Sequence, residues 1–266
     1  MDRFLHAGRY IFATGMVAFG GFHLFAGRFH AGLPPVPGWV IASPVLVYAV
    51  GAALIAAGVS IATGKAARLS ATLMAFLFLF CTVFLHAHRL RYMLSTGNGR
   101  TRGFEALAFA GAWFVLAGTF PLEWPDSPVW NAVTEKFILA GRFLFGIPLL
   151  IFGWQHFIAA DFIASLIPAW VPFRLFWAYF FGCTFIAAGI AIMTKIAGRL
   201  AAALLGVQYM LWVVVLHIPS SVSARTNIDK WESMVVAFTL SGAAFVIATT
   251  MPQLHTSAAK KLQSPA

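Results

Sequence analysis

The chain has 266 residues, 61% of them hydrophobic and only 10% charged, with a formal net charge of +10 and a mean hydropathy of +0.84. A soluble domain carries about 25% charged residues, so there is too little charge here to cover a water-facing surface, and the composition calls for lipid as the solvent. The Lys and Arg residues fall in short gaps between apolar runs, as in membrane-flanking segments. They form no patch large enough to neutralise several phosphates, which excludes nucleic acid as a partner.

A helix needs about 20 mostly apolar residues to span a bilayer. Eight such runs follow in order, at 8–27, 39–62, 67–88, 104–122, 137–158, 173–194, 198–218 and 233–251. The first is too long for the apolar core of a cleaved signal and is followed by further spans, so it is expected to remain. The gaps carry turn and charge chemistry, as in LPPVPGW (33–39), TGKAAR (63–68), IPAWVP (167–172) and PSSVSARTNIDK (219–230). Trp39, Trp124, Trp130, Trp170 and Trp231 sit at span ends, where an aromatic belt accounts for them. Cys81 and Cys183 lie inside apolar runs with no C-x-x-C, so both read as small buried hydrophobes. No G-x-G-x-x-G or P-loop occurs.

The sequence repeats itself. GRYIFATGMVAFGGFH (8–23) aligns without gaps on GRFLFGIPLLIFGWQH (141–156), with Gly8, Arg9, Phe12, Phe19, Gly20 and His23 finding identical partners. GAALIAAGVSIATGKAARL (51–69) aligns on GCTFIAAGIAIMTKIAGRL (182–200), two residues having been lost in the first loop. That register continues through Leu85-His86 on Leu216-His217 and through 111–121 on 242–252. The expected fold is therefore all-α, a polytopic membrane protein of eight transmembrane helices. It comprises two tandem four-helix bundles at 1–121 and 137–252, joined by a linker at 122–136 and followed by a polar tail at 253–266. Four helices per copy give both copies the same orientation, with a pseudo-twofold axis along the membrane normal. Both termini then share one face, and a slight excess of Lys and Arg on that face favours the inside.

Each copy has an Arg-led first helix ending in His and a Gly-rich second helix. A T-x-x-x-x-R-L step into the third helix follows (Thr63 to Leu69, Thr194 to Leu200), then a Gly-rich fourth helix. A Pro-rich loop such as IPAWVP separates the first two. These features resemble the DoxX family of small four-helix membrane proteins, here as a tandem pair, over residues 8–121 and 141–252. The resemblance implies a bacterial inner (cytoplasmic) membrane protein. In some members it implies association with a membrane redox complex, such as the DoxD subunit of a thiosulfate:quinone oxidoreductase. Other relatives act without known chemistry.

Away from their ends the spans hold no Asp, Glu or Lys, which argues against a proton- or sodium-driven transporter. The remaining polar groups gather near the face opposite the termini: His23 and His156 end the first helix of each copy, His86 and His217 the third, and Glu105 and Glu232 begin the fourth. In the gapless register Glu105 pairs with Val236, one helical turn from Glu232. One reading is a ligand pocket in each half, made by His23, His86 and Glu105 and by His156, His217 and Glu232, which would hold a quinone carbonyl or a lipid headgroup. The other is that these residues tie helix ends together at the lipid–water boundary. Two His without a flanking pattern give axial haem ligation little support, and no metal site or catalytic residue is assigned. Two functions follow: a quinone- or lipid-contacting subunit of a membrane redox system, with lipids and a redox protein as partners, or a structural or adaptor protein that does no chemistry.

Overall fold

The computed structural model describes residues 2–27, 29, 43–85, 96–121 and 128–252. All regular structure among them is helical. In chain order the elements are α1 (Asp2–Ala26), α2 (Pro44–Thr63), α3 (Ala67–Phe80) running into a π-turn (Cys81–Leu85), α4 (Gly97–Thr119) and α5 (Pro128–Ile158). The short α6 (Ala160–Leu166) and α7 (Arg174–Thr194) come next, then α8 (Gly198–Trp212) with a second π-turn (Val213–His217), α9 (Ile218–Ser223) and α10 (Ile228–Thr249).

Local chemistry sets the boundaries. Ser43 caps α2, its hydroxyl accepting from the Leu46 N–H at 3.4 Å with Pro44 opening the helix. Gly64, at φ 80°, ends α2 by returning its N–H to the Ser60 carbonyl. Asn227 caps α10 by accepting from the Asp229 N–H.

Among the described residues, six helical stretches are long and apolar enough to cross a membrane: Pro44–Thr63, Ala67–Phe84, Ala132–Ile158, Arg174–Thr194, Gly198–Ser223 and Ile228–Thr249. Their outer faces are apolar. On α3, Leu69, Leu73, Phe76 and Phe80 are exposed, and on α8 so are Leu200, Leu204, Val207 and Leu211. Such stripes would aggregate in water and are at home in lipid. The remaining long helices, α1 and α4, have 25 and 23 residues. They are more polar, with Arg9 and His23 in α1 and Arg100, Arg102 and Glu105 in α4. In α4 the charged residues stand in its first turns. Every residue from Ala108 to Gly118 is buried against other helices, so this segment presents almost nothing to lipid.

The packing departs from two separate bundles. α1 lies along α2 and α10, while α5 lies along α7 and α4; α3 packs on α4, α8 on α10, and α4 touches α10 at the centre. The first helix of each half thus packs on the last helix of the other. Glycines permit this. A Cβ on Gly111 of α4 would fall 2.6 Å from the Gly141 carbonyl oxygen of α5, and one on Gly242 of α10 would fall 2.8 Å from that of Gly8 in α1. Only glycine lets the backbones come so close, and close backbones carry much of the dispersion energy in a membrane bundle. At the start of α3, Arg68 ties three helices together. Its guanidinium donates to the Phe120 carbonyl just past α4 at 3.1 Å and to the Thr134 hydroxyl of α5 at 2.8 Å.

Candidate ligand cavity

A cavity of about 720 Å³ lies at the end of the bundle where α4 and α10 begin and α5 and α8 finish. Glu105, His156, His217 and Glu232 all line it. The structure thus brings together the three residues expected in the second half and adds Glu105, which was expected in a first-half pocket. The cause is the exchange of neighbours described above: α4 stands beside α5 and α10, so its first turns face the second half.

His23 is fully buried elsewhere, under α2. Its Nδ1 donates to the Phe19 carbonyl at 2.8 Å, and Gly51 of α2 approaches its Cβ. His86 lies outside the described residues. Of the expected first-half group of His23, His86 and Glu105, the described residues place Glu105 in this cavity and His23 under α2.

His156 makes the same helix-internal bond as His23, from Nδ1 to the Phe152 carbonyl at 2.7 Å. In the neutral ring this fixes the proton on Nδ1 and leaves the Nε2 lone pair for another partner. The ring lies nearly parallel to the Trp212 indole, with centroids 6.0 Å apart and planes at 17°. Gln155, beside it, donates to the Gly97 carbonyl at 3.1 Å and to the Thr101 hydroxyl at 3.2 Å, anchoring the start of α4 to α5.

His217 reaches the cavity through the π-turn. The Ile218 N–H bonds to the carbonyl of Val213, five residues back. In such a turn residue i+5 stands roughly over residue i, so His217 falls on the same side of the helix as Trp212 rather than being carried around it. Tyr209 and Trp212, three residues apart on α8, complete that wall with Phe185 of α7. The three centroids are 5.5 to 5.8 Å apart. The Tyr209 hydroxyl and the Trp212 indole nitrogen are both buried without a hydrogen-bond partner among the described residues. Two unpaired donors against a cavity are expensive unless something occupies it.

The sequence did not single out Tyr209, Trp212 or Gln155. Aromatic residues at helical spacing read as core, and only their alignment with His217 on one helix could have marked them. No group of three or more His, Cys, Asp or Glu able to hold a metal ion occurs among the described residues. No family model, curated protein or solved structure matches the chain.

Proposed function

We propose that this is an integral membrane protein with eight spans, formed by two DoxX-like repeats, and that it holds a lipophilic ligand in the cavity at one end of the bundle. The observation that carries the ligand reading is the cavity itself, which gathers Glu105, His156, His217 and Glu232 from four different helices around the unpaired donors of Tyr209 and Trp212. Typical small-molecule sites are concave and mainly apolar with a few convergent polar groups, and this one has that makeup.

The repeat reading draws on more than sequence register. The exposed stripe Leu69, Leu73, Phe76, Phe80, Val83 on the third helix of one half recurs, at an offset of 131, as Leu200, Leu204, Val207, Leu211, Val214 in the other. The close glycine pairs also recur: Gly20 on Gly51 and Gly153 on Gly182. The DoxX-like reading rests on the motifs Arg9 to His23 and Arg142 to His156 and on the T-x-x-x-x-R-L steps. It makes a quinone or lipid the natural class of ligand and a bacterial inner membrane the natural location.

The test is to purify the whole chain in mild detergent, record its visible spectrum and identify retained small molecules by mass spectrometry. A lipid or quinone should co-purify and be displaced in Leu240→Trp, whose added indole fills the cavity. If the parent and Leu240→Trp retain the same molecules in the same amounts, the cavity is not a ligand site, and the adaptor reading takes its place.

A further inference from the structure

We propose that the cavity receives the primary ammonium group of an amphiphile, seated between Glu105 and Glu232 with its apolar tail leaving over α6. The inference rests on the lipophilic-ligand reading above and names the chemistry of the head. The cavity is ordered by charge. Glu232 is 1% exposed and so lies deep, whereas Asp229 and Lys230, earlier on α10, are exposed at the mouth. Arg102 likewise lines the cavity one turn nearer the start of α4 than Glu105. With Arg102 and Lys230 against Asp229, the mouth keeps a net positive charge, which matches a molecule that enters cation first and keeps an anionic group behind it.

The inner wall supplies acceptors and ring faces. Carboxyl groups in a low-dielectric bundle are stabilised by a cation with N–H donors. The Tyr209 side chain, 4% exposed, lines the same space, and its oxygen has no partner among the described residues. An ammonium group carries three N–H donors, which two carboxyls and a phenol oxygen can receive. The rings of Phe152, Phe185, Tyr209 and Trp212 form a continuous aromatic surface that also favours a cation. A quinone offers only acceptors, which would suit Trp212 but would give an ionised carboxylate nothing to accept. A quaternary ammonium has no N–H to give. On the lipid side of the mouth, Phe162 and Leu166 of α6 both line the cavity and are 64% and 56% exposed, a path for an acyl chain.

The whole chain, purified in detergent, should be titrated by native mass spectrometry with phosphatidylethanolamine, phosphatidylcholine and phosphatidylglycerol of matched chains, and with dodecylamine. Phosphatidylethanolamine should be held about tenfold more tightly than the choline or glycerol lipid, and Glu232→Gln or Glu105→Gln should each remove about tenfold. Dodecylamine competing on equal terms identifies a lipophilic amine as sufficient. Dodecylamine tenfold weaker assigns the phosphate to Arg102 and Lys230 and the ligand to an aminophospholipid. Either result carries the ammonium site. Equal retention of the three phospholipids overturns it, as does full retention by both Gln variants with unchanged elution and unfolding. Should a Gln variant fail to fold, Tyr209→Phe, which loses one oxygen, must lower retention of the ethanolamine lipid selectively. A neutral ligand displaced by Leu240→Trp without any amine preference overturns this proposal alone. No displacement of any ligand overturns the lipophilic-ligand reading as well.

Discussion

Arg68 shows how single side chains hold a bundle that has little hydrophobic drive of its own. Its two bonds, to Phe120 O and Thr134 Oγ1, neutralise a carbonyl left open at the end of α4 and fix the start of α5. Hydrogen bonds from a charged donor contribute about 1.5–3 kcal/mol, so Arg68→Leu should lower stability by about that much in a chemical denaturation series. Arg68→Lys should recover only part of it, because one ammonium cannot span both acceptors with the geometry of a planar fork. An unchanged midpoint for Arg68→Leu would show that the contacts are incidental. The buried Ser241 hydroxyl, which donates to the Gly206 carbonyl at 2.7 Å, is a smaller case: Ser241→Ala should cost about 0.6 kcal/mol in the same assay. At this scale the sequence reveals ionisable groups better than neutral ones. Chain direction alone places His156, His217, Glu105 and Glu232 near one face, because a costly residue in an apolar run stands out. Tyr209 and Trp212 sit in a chain that is 15% aromatic, and nothing local separates a ring that lines a cavity from one that fills a core.

The π-turn Val213–His217 is an element-level device. One extra residue in a turn rotates all that follows by about 100° relative to an uninterrupted α-helix. Inserting one alanine between Trp212 and Val213 should turn His217 about a further 100° and carry it off the wall that it shares with Tyr209 and Trp212. The expected readout is loss of the retained ligand with the helical content by circular dichroism unchanged. Retention of the ligand by the insertion variant would mean that His217 contributes nothing to the site. The glycine crossings behave differently. Gly111→Val would put its side chain into the Gly141 backbone and cost more than about 2 kcal/mol, or force α4 and α5 apart. This would show as a lower unfolding temperature in detergent. Periodicity and length located six of the eight expected runs as apolar spans among the described residues, with α7 at Arg174–Thr194 against an expected 173–194. The π-turns and the short α6 carry no composition signal, since a single added residue or a seven-residue helix leaves hydropathy almost unchanged.

For the whole molecule, the sequence carries a repeat register but no sign of how its two halves assemble. A gapless register relates two stretches of sequence, but it cannot say whether α1 closes on the α4 of its own half or on α10 of the other. That choice depends on which glycine faces meet, and Gly8, Gly111, Gly141 and Gly242 are chemically equivalent candidates in one dimension. In the structure α1 meets α10 and α5 meets α4, so each half supplies a face that the other needs. The cavity follows the same logic, because Glu105 comes from the first half and His156, His217 and Glu232 from the second. Cutting the chain between residues 124 and 125 and co-expressing the pieces tests this directly. Fragments 1–124 and 125–266 should co-purify on a tag carried by either one, and ligand retention should return only in the pair. Alone, fragment 1–124 has the Gly8 face of α1 and the Gly111 face of α4 both uncovered. In the repeat register these correspond to the faces of Gly141 and Gly242, so two copies can restore both crossings by exchanging helices about a twofold axis. Fragment 1–124 should therefore run as a homodimer in detergent by light scattering, and Gly8→Val should dissociate it. A stable monomeric fragment with no affinity for 125–266 would mean that the halves are independent bundles and that the shared cavity is lost with the interface.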